Sequence, residues 1–141
     1  MLEQACIVID TNVALDLWIY KDPRTEELSG ALKEGQLRWI ATESMREELK
    51  RVLDYTHILA RMQTLGLSRY EVLEQFDALV ELREDSPKAV YTCKDPDDQK
   101  FIDLAAQYQV PLISKDKCVL SMKNRMMRLN VAVTAQWSNS L

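Results

Sequence analysis

Four acidic positions, far apart in the chain, are the residues most able to do chemistry together: Asp10, Glu48, Asp97 or Asp98, and Asp116. Asp10 closes the apolar run Ala-Cys-Ile-Val-Ile, and Asp116 follows a second such run, Val-Pro-Leu-Ile-Ser. Several carboxylates held close together repel one another unless a cation neutralises them. Oxygen-only donors suit Mg²⁺ or Mn²⁺ rather than zinc. Such an ion, or a pair roughly 3.5–4 Å apart, activates water and stabilises the leaving oxygen in phosphodiester hydrolysis.

Each acid also has a plainer structural use. Asp10 could cap the helix that begins at Asn12. On the stretch from Thr42 to Leu53, Met45, Leu49, Val52 and Leu53 make one apolar stripe at helical spacing, with Glu48 beside it and Glu47 pointing away. Glu48 could therefore sit at the stripe's rim, although a carboxylate beside a buried face is costly without a partner. After Pro96 the inward face is Phe101, Leu104, Ala105 and Tyr108; Asp97 and Asp98 flank it one turn earlier, and Asp103 faces solvent. Acids in a first helical turn oppose the helix dipole whatever else they do. Periodicity does not choose between Asp97 and Asp98. The cluster so formed carries no built-in basic neighbour.

Other chemistries are excluded by count. There is one histidine, His57, so a two-histidine acid–base nuclease is impossible, and its context reads as a helix start on the surface. Cys6, Cys93 and Cys118 are an odd number without CxxC spacing, which indicates neither a disulfide framework nor a zinc site. Asp10-Thr11-Asn12 lacks the second Asp that an aspartyl-phosphate phosphatase places two residues on.

The elements that must position these acids follow from the apolar pattern. Ala5–Ile9 and Leu37–Ala41 read as strands buried on both faces, as in a parallel sheet. Ala89–Thr92, Val110–Ser114 and Val131–Thr134 read as the third, fourth and fifth strands. Helices are expected from Asn12 to Tyr20, from Pro23 to Glu34 with Gly35 beyond its end, and from Thr42 or Ser44 to Leu53. Two more span His57 to Glu84, broken at Gly66-Leu67-Ser68, where Ser68 and Glu71 fit a capping box. Asp95-Pro96 opens another, ending near Gln109. Strands alternating with helices imply a three-layer α/β/α sandwich around a mostly parallel sheet of four or five strands. In such sheets the ligand site lies outside the carboxyl ends of the strands, which places Asp10 and Asp116 on one edge.

The 141 residues suit a single domain over 1–141, with 47% hydrophobic residues able to build a core unaided. No apolar run approaches the roughly 20 residues of a membrane span. The N-terminal Met-Leu-Glu-Gln-Ala-Cys lacks the basic start and apolar stretch of a signal peptide, so a cytoplasmic protein is expected.

The segments Ile-Val-Ile-Asp10-Thr11-Asn12, Glu48-Leu-Lys-Arg-Val-Leu, Asp95-Pro-Asp-Asp98-Gln-Lys-Phe-Ile-Asp-Leu-Ala and Leu-Ile-Ser114-Lys-Asp116 together resemble a PIN-domain protein. They are most similar to the VapC-like toxin components of bacterial toxin–antitoxin operons. The likeness runs from about Ala5 to Leu120 in the family's order. It implies an α/β/α endoribonuclease dependent on Mg²⁺ or Mn²⁺, with Asp10, Glu48, Asp98 and Asp116 as catalytic metal ligands. Asp98 is chosen because Ala105 matches the family's small residue seven positions on. Thr11, Asn12 and Ser114 match the small polar positions that orient carboxylates or water. One departure stands out: many relatives carry a further acid where this chain has Cys118, which puts a second ion in doubt.

With 18 Lys+Arg against 22 Asp+Glu the net charge is −4, so RNA phosphates must meet a local basic patch. Lys50, Arg51, Lys94, Lys115 and Lys117 are the candidate substrate contacts, with Lys123, Arg125 and Arg128 beyond; they also read as ordinary solvated cations. The helix from Val13 to Tyr20 is apolar except for Asp16 and needs cover all round. Either the middle helices cover it, or Trp18 and its neighbours are left for another protein surface. A homodimer is expected on that ground, and an inhibitory antitoxin is the partner that the resemblance implies. An RNA-processing nuclease outside a toxin system, or a non-catalytic binding module, is the alternative.

Overall fold

The two apolar runs nearest the N-terminus become the central strands of the sheet. In the computed structural model, which describes residues 5–139, β1 is Ala5–Ile9 and β2 is Leu37–Thr42. Met1–Gln4, where the signal-peptide reading begins, and residues 140 and 141 of the expected domain lie outside the described residues. β1 leads into α1 (Thr11–Leu15), which continues as a π-helical turn over Asp16–Tyr20. A 3-10 turn at Pro23–Thr25 opens α2 (Glu26–Lys33); after β2 come α3 (Glu43–Val52), α4 (Thr56–Leu65) and α5 (Arg69–Leu79). β3 (Val80–Arg83), a 3-10 turn at Pro96–Asp98 and α6 (Gln99–Tyr108) follow. The chain continues through β4 (Leu112–Ile113), α7 (Lys117–Leu120), α8 (Lys123–Met127) and β5 (Val133–Thr134).

All five strands are parallel, in the order β3-β2-β1-β4-β5. Helix α6 packs on β1 and β4, α2 and α3 on β2, and α5 on β3, which gives the α/β sandwich expected. Ile7, Val8 and Ile9 are buried on both faces of β1, as a central parallel strand requires. Each such side chain contributes about 1.5–3 kcal/mol by leaving water. From β1 the chain winds outward through β2 and β3 on one side and reaches β4 and β5 on the other. The winding therefore reverses between β1 and β4, and the loops leaving their carboxyl ends diverge around a crevice.

Several local signals work as read. Ser68 Oγ accepts the Glu71 N–H at 3.2 Å, and Asp95 Oδ1 accepts the Asp97 N–H at 2.9 Å. Gly66 ends α4 in the left-handed region at φ 65°, where a Cβ would be strained.

Three expectations are corrected. The third strand is Val80–Arg83, not Ala89–Thr92. Val72, Leu73, Phe76, Leu79 and Val80 keep helical spacing, and no Gly or Pro marks the change at Leu79, so the pattern alone predicts a helix through 84. Sheet pairing decides instead, with Trp39 opposite Val80 and Thr42 opposite Arg83. Residues 89–92 are irregular because α6 side chains satisfy their backbone: Asp103 accepts the Ala89 N–H at 2.8 Å, and the Gln99 amide donates to the Tyr91 carbonyl. Asp103 is accordingly half-buried and also takes a bond from Gln99, instead of facing solvent. Lastly, Trp18 is not left for another surface. It is buried, stacks on Trp39 with ring centroids 5.1 Å apart, and meets Phe76 of α5 edge-on. No helix among the described residues is long and apolar enough to cross a membrane.

Candidate functional site

The crevice between β1 and β4 is where the first and last acids meet. Ile9 pairs with Ile113, so the next residues on each strand, Asp10 and Ser114, stand side by side. Asp10 holds the N-cap position of α1, yet its side chain makes no capping bond. It instead accepts a 2.6 Å hydrogen bond from Ser114 Oγ, which is fully buried and itself accepts the Asp116 N–H at 3.0 Å. One hydroxyl thus ties the two acids together. Asp116 starts α7 and takes the Cys118 N–H on Oδ1 at 2.7 Å, which leaves Oδ2 for other work. Burial raises the Asp10 pKa; the Ser114 bond works against that, and the charges of Glu48 and Asp116 add to the rise.

Glu48 reaches the same place from α3. The stripe of Met45 and Leu49 turns that helix onto the sheet, which brings Glu48 to its margin. Thr11 Oγ1 donates to Glu48 Oε2, and Lys100 Nζ donates to Oε1 at 2.7 Å.

Asp98 is the acid with an oxygen left without a partner. It ends the 3-10 turn before α6, is only 8% exposed, and its Oδ2 has no hydrogen-bond partner. Burial, and then the charges of Asp10, Asp116, Asp95 and Glu48, push its pKa up to about 7. Asp97 is exposed, so the structure turns Asp98 inward of the pair that periodicity left open. Glu48 and Asp116 therefore lie close enough to Asp10 and Asp98 for their charges to raise the proton affinity of both.

The residues expected around them divide. Thr11 and Ser114 touch the acids, whereas Asn12 is exposed. Lys50, Arg51, Lys94 and Lys117 are exposed. Lys115 turns the other way and pairs with the buried Asp16. His57 is exposed on α4 beside Tyr55.

Lys100 is the residue of the candidate site that sequence reasoning missed, and it corrects the expectation of a cluster with no basic neighbour. Its signal was present: it lies four residues before Leu104, on the line of the buried stripe. No group of three or more Asp, Glu, His or Cys among the described residues is arranged to hold a metal ion as it stands. The chemistry of the donor set nonetheless fits a hard divalent ion, because Asp98 offers a buried, unpartnered carboxylate oxygen among three further acids.

No curated protein matches the chain. The PIN domain family model matches residues 6–117, from within β1 to the start of α7. The chain therefore belongs to the PIN-domain family and carries its nuclease-type fold.

Proposed function

We propose that this chain is an endoribonuclease that uses Mg²⁺ or Mn²⁺ to hydrolyse RNA phosphodiester bonds. The observation that carries this reading is Asp98, a buried carboxylate with an unpartnered oxygen, set among Asp10, Glu48 and Asp116 at the sheet's switch point. Four acids so placed would hold a divalent ion, which when bound supplies charge neutralisation and activates water for attack at phosphorus. Ser114 fixes the Asp10 carboxylate and the Asp116 backbone relative to each other. Thr11 fixes Glu48. These bonds set the acids before substrate arrives, so little reorganisation is needed. Lys50, Arg51, Lys94 and Lys117 stand exposed and are assigned to RNA phosphates, so binding should weaken as salt rises.

The toxin role and an inhibitory antitoxin partner are part of this proposal and rest on the resemblance to VapC-like proteins; a cytoplasmic site, read from the N-terminal composition, and a homodimer, for which Trp18 no longer supplies the ground, are proposed with them. Size exclusion with light scattering tests the dimer.

The test of the function is cleavage of a generic RNA by wild type and Asp10→Asn, with Mn²⁺ and with chelator. Outer partners of metal ligands are worth about 10–100-fold, so Asp10→Asn should lose at least about 100-fold with its fold retained. Full activity in that variant, or in wild type with excess chelator, contradicts the proposal.

A further inference from the structure

The acid cluster contains its own cation. Lys100 Nζ lies 2.7 Å from Glu48 Oε1 and also donates to the Asp97 carbonyl. The pair is largely shielded, with side chains 23% and 15% exposed, and the ammonium rests over the Phe101 ring at 5.2 Å. This contact crosses from α6 to α3, the two helices flanking the crevice, and Lys100 sits two residues after Asp98. With Thr11 on the other oxygen, both oxygens of Glu48 are engaged. Among the described residues, no other Lys or Arg forms an ion pair with Asp10, Glu48, Asp98 or Asp116.

We infer that Lys100 is a built-in counter-cation that competes with the divalent ion: the ion binds by displacing the ammonium from Glu48, and Lys100 thereby sets how tightly the site holds it. The inference rests on the metal-dependent reading above. The physical basis is simple. A positive charge beside the acids offsets part of their repulsion in the metal-free protein, and the same charge opposes a second cation arriving. Releasing Glu48 also frees its Oε1 to face an ion together with the other acids. Lys100 is on this account a positioning residue that acts through Glu48.

The test is Mn²⁺ binding to the full chain without RNA, followed by loss of the free-Mn²⁺ electron paramagnetic resonance signal. Lys100→Met removes the charge and keeps the length, Lys100→Gln is a second neutral variant, and Lys100→Arg keeps the charge. The expected result is that the neutral variants bind Mn²⁺ about tenfold tighter than wild type, the order expected of one charge acting on a divalent ion near water. Lys100→Arg should stay within about twofold of wild type, and the gain from Lys100→Met should shrink in a Glu48→Gln background. A purely structural lysine would weaken binding in every variant, Arg included. Wild type that binds Mn²⁺ beside neutral variants that bind no tighter overturns the inference and leaves the nuclease reading standing. No binding by any variant, wild type included, overturns both.

Discussion

Charge is handled in opposite ways at the two sides of one sheet. Around β2 and β3, two acids have arginine partners: Glu81 lies between Arg38 and Arg83, and Arg46 grips Asp77 with bonds of 2.8 and 2.9 Å. The Arg38 hydrogen bond draws the Glu81 pKa below its ordinary value, and Arg46 does the same for Asp77. At the carboxyl ends of β1 and β4, four acids gather with a single ion pair, Lys100 to Glu48, and the pKa values of Asp10 and Asp98 are pushed upward. The first arrangement is electrostatically relaxed and exposed. The second is strained and buried, which is where ligand-binding chemistry is expected. The difference teaches that a candidate cation site is marked by unmatched acids, not by acids as such.

The largest effect should come from neither set of charges but from the packing beneath the relaxed side. Trp18, Trp39 and Phe76 form one aromatic cluster. Trp18→Ala should cost about 3–5 kcal/mol in denaturant unfolding. A near-neutral effect would mean that Trp18 faces a partner after all.

The next largest belongs to the strained side. Asp98 moves from 3.8 to about 7 on folding, so the folded chain holds a proton that the unfolded chain releases. With the pKa raised, this group's contribution is fully favourable below about pH 4 and is lost as pH rises through about 7. In chelator at pH 8, Asp98→Asn should therefore be more stable than wild type by about 2 kcal/mol, roughly half the unscreened worth of the shift. The gain should fade toward pH 4. Equal stabilities at pH 8 would break the contrast.

The smallest effect belongs to the relaxed side. Glu81→Gln should change stability by under about 1 kcal/mol, as exposed ion pairs do, and should leave cleavage unchanged. A larger loss, or lost activity, would blur the distinction between the two sides.

The parts legible in the sequence were those with local signatures. The runs ending at Ile9 and Ala41 are apolar on both faces, and Asp95-Pro96 and Ser68 carry their own capping chemistry. Asp10 was legible because a strand end on a parallel sheet points to one edge whatever the details. What stayed hidden was decided by tertiary competition. Residues 80–83 keep a helix's spacing and become a strand because β2 offers an edge. Residues 89–92 have strand composition and lose that state to Gln99 and Asp103. Lys100 carries no local sign of its partner in the site, because Glu48 lies 52 residues away.

Thermal unfolding of wild type and Asp10→Asn at pH 8, each with chelator and with Mn²⁺, tests the central claim most directly. Mn²⁺ should raise the wild-type midpoint in proportion to binding of the folded state alone, and should leave the midpoint of Asp10→Asn nearly unmoved. A wild-type midpoint indifferent to Mn²⁺, or an equal rise in both proteins, would contradict the account.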